Sequence, residues 1–79
     1  MEDSILTFET SDLWVAGYLK ASQMHLQSTQ RRNGKVYFIF ENLNQCQRLV
    51  DEYFSGAAIP ASELKHSINL LKDLIFNKS

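Results

Sequence analysis

The stretch Arg31-Arg32-Asn33-Gly34-Lys35-Val36-Tyr37-Phe38-Ile39-Phe40-Glu41 decides the fold. Its Asn-Gly pair accepts positive φ at both central positions of a type I′ turn, the tight reversal whose twist matches that of paired strands. The run that follows, Val36 to Phe40, is β-branched and aromatic throughout, which fits a strand in the middle of a sheet. A loop of only Asn33 and Gly34 sets Arg32 opposite Lys35, and the pairing continues as Arg31 with Val36, Thr29 with Phe38 and Gln27 with Phe40. Those residues share one face. The other face gathers Met24, Leu26, Tyr37 and Ile39, so apolar groups are expected on both sides of the hairpin. A bulge in either strand would spoil that partition.

Working upstream, Ile5-Leu6-Thr7-Phe8 reads as a short strand closed by the polar cluster Glu9-Thr10-Ser11-Asp12. Thr10 or Ser11 suits the cap of a helix running to about Ser22, with Asp12 placing negative charge in its first turn. Leu13, Ala16, Gly17 and one side of Tyr18 or Leu19 recur at helical spacing, and Trp14 and Tyr18, four apart, share a face. Downstream, Asn42 with Gln45, or Asn44 with Gln47, forms a capping box. Cys46, Leu49, Val50 and Tyr53 make the apolar stripe of the helix that follows, and Gly56 ends it. Ala57 to Pro60 is an extended connector. Ser62 is the expected cap of a last helix with the stripe Leu64, Ile68, Leu71, Leu74 and Ile75. Met1 to Ser4 and Asn77 to Ser79 are expected to fray. The order β-α-β-β-α-α over residues 1–79 implies a single small α+β domain, a three-stranded antiparallel sheet with helices packed mainly on one face.

Composition narrows the function classes. A chain of 79 residues makes one domain with a thin core, burying only about 60% of its unfolded surface. No disulfide, metal or cofactor is evident to reinforce that core, so a homodimer is the natural route to added stability. The net charge of −1 supplies no global field for nucleic acid, which leaves only a local basic patch. Cys46 is the single cysteine and cannot pair within the chain, and Met1-Glu2-Asp3-Ser4 carries neither the basic nor the apolar region of a secretory signal. A cytoplasmic setting is the expectation. The apolar run Leu13 to Leu19 falls well short of the roughly 20 residues that span a bilayer, so no membrane partner is expected.

Several segments carry a resemblance: Phe8-x-Thr10-x-Asp12-Leu13, then Gly34-Lys35-Val36-Tyr37-Phe38-Ile39-Phe40-Glu41, then Leu49-Val50-x-x-Tyr53-Phe54-x-Gly56, and the closing Leu71-Lys72-Asp73-Leu74-Ile75. Together they resemble a family of short prokaryotic and viral proteins catalogued only as a domain of unknown function. The resemblance covers nearly the whole chain and implies no activity, cofactor or site residue. It departs after the first helix, where such sequences often carry a glycine and this one has Ser22-Gln23, so the turn there is expected to be built differently.

Chemistry is hard to find. A nucleophile needs a neighbouring base held by a third group, whereas Cys46 falls on an apolar stripe and reads as a small buried hydrophobe. Metal sites need three or four converging ligands, and His25, Cys46 and His66 are scattered singly. Asp51 and Glu52 are adjacent on a helix and point about 100° apart, while Arg48 and Glu52 suit a surface ion pair. Gly17, Gly34 and Gly56 stand alone, so no phosphate-cradling loop is formed. No catalytic, cofactor-binding or metal residue is therefore assigned.

Two surfaces remain. Arg31, Arg32 and Lys35 flank the hairpin turn and could contact nucleic-acid phosphate. The strand order invites comparison with the RNA-recognition fold, but Val36 stands where its motif wants an aromatic, and a fourth strand is missing. Met24, Leu26, Tyr37 and Ile39 either form an open apolar sheet face seeking a protein partner or are plain core under the C-terminal helix, and Trp14 and Tyr18 either serve as further interface aromatics or cover the sheet. The leading expectation is a non-enzymatic protein-interaction module that self-associates or docks on another protein; the alternative is a nucleic-acid-binding domain using the basic tip.

Overall fold

The computed structural model describes residues 6–56 and 58–77. The fraying expected at Met1 to Ser4 and at Lys78 and Ser79 lies outside them. The elements follow the expected order: β1 (Thr7–Thr10), α1 (Leu13–Ala21), β2 (Leu26–Arg32), β3 (Lys35–Glu41), α2 (Leu43–Phe54) and α3 (Ala61–Asn77). The strands form one antiparallel sheet in the order β1-β3-β2, with β3 in the middle. Asn33 and Gly34 take φ values of 51° and 82°, as the type I′ turn requires.

Helices cover one face of the sheet. Phe38 and Phe40 point into that side and are almost fully buried with Val15, Ala16, Leu19, Cys46, Val50 and Leu71. Helix α1 is buried on every side from Val15 to Leu19, which marks a helix held between two layers. The sheet lies against one flank and α3 against the other. The α1–α3 crossing is close because Gly17 sits in it: a Cβ there would stand 2.5 Å from Ile68 Cγ1 and 3.5 Å from Leu64 Cδ1.

Local chemistry shifts several boundaries. Strand β1 covers Thr7–Thr10, starting after Leu6 and running past Phe8, because the ladder from Thr7 opposite Glu41 to Thr10 opposite Phe38 recruits the polar residues; Ile5, expected to open the strand, lies outside the described residues. The cap of α1 is Asp12 itself, whose Oδ1 accepts from the N–H groups of Trp14 (2.9 Å) and Val15 (3.2 Å). Thr10 instead accepts from Asp12 N–H through Oγ1. Asn42 caps α2 by accepting from Gln45 N–H at 3.2 Å, and Gly56, at φ 93°, follows its C-terminus. Helix α3 starts at Ala61, with the Pro60 carbonyl accepting from Leu64 N–H, so Ser62 lies inside its first turn and is not the cap. At the far end α3 continues through Asn77, where fraying was expected to begin.

The turn after α1 resolves the departure at Ser22-Gln23. Met24 N–H donates to Leu19 O and Gln23 N–H to Lys20 O, both at 3.0 Å, with Gln23 at φ 72°. This is a Schellman closure with glutamine in the left-handed position that glycine fills most cheaply. Met24 then packs back onto the core cluster that contains Leu19.

Two outcomes follow for stability in urea, monitored by circular dichroism. Gln23→Gly is expected to raise stability by about 0.5–1 kcal/mol, whereas Gln23→Ala brings no gain. Gly17→Ala should destabilise the wild-type background by about 1 kcal/mol, because overpacking outweighs the gain in helix propensity. In an Ile68→Ala background the clash is gone, and the same substitution should become neutral or stabilising.

Candidate functional site

The β2–β3 register decides where the candidate interface residues go. From the turn, the pairs run Arg32 with Lys35, Arg31 with Val36, Gln30 with Tyr37, Thr29 with Phe38 and Ser28 with Ile39, as expected. A bulge between Leu26 and Ser28 then puts Leu26, not Gln27, opposite Phe40. The extra residue turns Leu26 to the helix side, where it packs on the core beside Met24. The expected set Met24, Leu26, Tyr37 and Ile39 is thereby split: the first two lie on the covered side and the last two on the open side. Burial of Leu26 favours the bulge, because the unbulged register would bury Gln27 and expose a leucine.

The open side is not an apolar face. Arg32 extends across β3 to Glu9 on β1, with Nη1 2.9 Å from Oε1. Its Nε and Nη2 donate to Gln30 Oε1 at 3.0 and 2.6 Å. The guanidinium carbon lies 4.8 Å from the centroid of the Tyr37 ring, a cation–π placement. The Glu9 hydrogen bond raises the already high pKa of Arg32 further. Ile39, flanked in the ladder by Glu9 and Ser28, is only 6% exposed. At the far end of the face, His25 Nε2 lies 3.7 Å from Glu41 Oε2.

The basic tip divides in the same way. Arg32 and Lys35 share the open face, whereas Arg31 pairs with Val36 and lies on the helix side. All three are exposed, but the Arg32 guanidinium is already engaged. Trp14 and Tyr18 also separate. Trp14 is 58% exposed, while Tyr18 is buried with its ring centroid 5.1 Å from that of Tyr53.

Met24 and Leu26 meet a feature that the stripe on α3 did not reveal. Leu70 and Leu74 are 43% and 39% exposed. They form one wall of a groove of about 630 Å³, with residues Met24 to Thr29 as the other wall and Lys20 and Gln23 at one end. Leu74 was expected on the buried stripe, but the α1–α3 crossing buries Ile68 and Leu71 and leaves Leu74 at its margin. Leu70 falls off the stripe altogether, and that unexplained leucine was the available signal.

The reactive side chains stay apart. Cys46 is fully buried, its Sγ donating to the Glu41 carbonyl at 3.4 Å, and burial pushes the thiol up to about 11. Among the described residues, no three His, Cys, Asp or Glu side chains converge as metal ligands, and no helix is long and apolar enough to cross a membrane. No family model matches the chain, and no curated protein or solved structure matches it.

The raised thiol has a pH signature. The stability carried by the neutral native thiol is whole below the unfolded thiol's pKa and is lost as pH rises toward the folded value near 11. Wild-type protein should therefore lose more stability than Cys46→Ala across that alkaline range. At neutral pH iodoacetamide should label Cys46 only as fast as the chain opens; rapid native-state modification would contradict the buried role.

Proposed function

We propose that this chain is a non-enzymatic protein-interaction module that docks on its partner through the groove between β2 and α3. One observation carries the reading: two leucines of α3, each about two-fifths exposed, stand across a groove from Met24 and Leu26, beside a strand edge that no other strand covers among the described residues. Apolar side chains left at a concave surface next to unpaired backbone are what protein docking sites use. The Arg32, Glu9 and Gln30 cluster removes support from docking through the open sheet face, and the division of Arg31 from Arg32 and Lys35 weakens the nucleic-acid alternative. A cytoplasmic setting fits a lone, buried, reduced thiol. Membership of the family of short prokaryotic and viral proteins rests on the sequence pattern alone.

The reading is tested by amide-detected NMR titration with a small apolar probe, isopropanol, alongside light scattering on a sizing column. Shifts should cluster at Met24–Thr29 and Leu70–Leu74 and vanish in the Leu70→Ser, Leu74→Ser double variant. Shifts gathered instead around Tyr37 and Ile39, or spread without focus, would sink it. A dimer that the double variant dissolves would keep the groove and make a second copy its occupant.

A further inference from the structure

We infer that the groove takes an extended segment of another protein, rich in alternating apolar and acidic residues, which adds to the free edge of β2 as a fourth strand. This rests on the docking reading and gives its partner a chemistry.

Among the described residues, the strand order leaves one side of β2 unpaired. A two-residue loop closes on a hydrogen-bonded pair, here Arg32 and Lys35, so alternation assigns the backbone groups of Gln30 and Ser28 to β3 as well. Those of Thr29 and Arg31 then point outward. Among the described residues, no backbone hydrogen bond outside the helices and ladders uses them. The side chains of Thr29 and Arg31 lie on the helix side of the sheet, the side on which the groove opens. One groove wall is the consecutive run Met24 to Thr29, so the groove follows the strand rather than crossing it. A chain laid along that edge would pair with the outward groups and turn every second side chain toward Leu70 and Leu74.

Charge selects among occupants. The chain has nine acidic and eight basic residues, yet among the described residues the one charged side chain lining the groove is Lys20, with no carboxylate beside it, while His25, which also lines it, is directed to Glu41 and Arg31 continues the edge beyond. This lining favours a partner carrying Asp or Glu and disfavours a basic one. It also argues against a second copy. Two-fold pairing of β2 with itself would bring Arg31 and Arg32 of each chain toward the other's strand, and Leu26–Arg32 contains no acidic residue to receive them. The bulge at Gln27 further interrupts a regular self-ladder.

The experiment selects phage-displayed random peptides on the immobilised chain, then titrates the enriched peptides by fluorescence anisotropy. Enriched peptides should alternate apolar residues with Asp or Glu and lose affinity about tenfold or more against Leu70→Ser, Leu74→Ser. Lys20→Glu should weaken them about fivefold, while Lys65→Glu, exposed elsewhere on α3, leaves binding unchanged. N-methylation of alternate peptide amides should abolish binding, and circular dichroism checks that each variant is folded. Groove-dependent peptides that are basic or uncharged, or that tolerate N-methylation in either register, overturn this inference and leave the docking reading standing. Failure to recover any peptide sensitive to Leu70 and Leu74 overturns both.

Discussion

Phe38 and Phe40 are buried under the helices, and β3, which carries them, is hydrogen-bonded on both sides. That arrangement fixes most of what surrounds it. Because side chains alternate along a strand, placing the two phenylalanines inward commits Tyr37 and Ile39 to the opposite face. A domain with helices on one side only must then keep a tyrosine and an isoleucine from forming an adhesive surface. Glu9, Gln30 and Arg32 do so from the flanking strands, with the guanidinium laid near the Tyr37 ring and bonded to both neighbours. Such exposed, solvent-screened contacts add little to stability, so their effect lies more in what they cover than in what they stabilise.

The bulge at Gln27 plays the matching part on the helix side. It turns Leu26 inward toward Phe40, and the Schellman turn at Gln23 folds Met24 back in the same direction. Both residues thereby come to line the groove faced by Leu70 and Leu74. The surface proposed for docking is thus a by-product of how the chain passes from α1 into β2. Helix α3 contributes its margin because it packs on α1 through Gly17 rather than spreading over the sheet.

The order of elements, the tight turn and the central strand were legible in the sequence because each has a strong local cause: Asn-Gly for the turn, an unbroken β-branched and aromatic run for β3, Gly56 for the end of α2. The α2 stripe through Cys46 and Val50 was legible for the same reason. What was not legible depended on distant partners. The ends of β1 are set by β3, more than twenty residues later, and not by its own apolar residues. Nothing near Leu26 announces a bulge; only the competition between Leu26 and Gln27 for the place opposite Phe40 selects it. The candidate interface failed for that reason, since one extra residue reassigns a side chain to the other face. Trp14 and Tyr18 parted because α1 lies between layers, so that helical spacing alone does not say which side chain is enclosed. The leucine wall was missed because an off-stripe Leu70 has meaning only once the crossing of α1 and α3 is known.

The separation between β1 and its partner also bears on how the chain is made. Thr7–Thr10 is synthesised before β3, and every residue it pairs with lies between Phe38 and Glu41. During translation this strand waits, while the β2–β3 hairpin closes locally and α1 forms within a single short stretch. An unpaired strand is a hazard in a nascent chain. Four residues, two of them threonine and one a glutamate, are a poor template for a stray neighbour. A short strand with an acidic member thus resists stray pairing, and the same Glu9 is the partner that Arg32 reaches across the finished sheet.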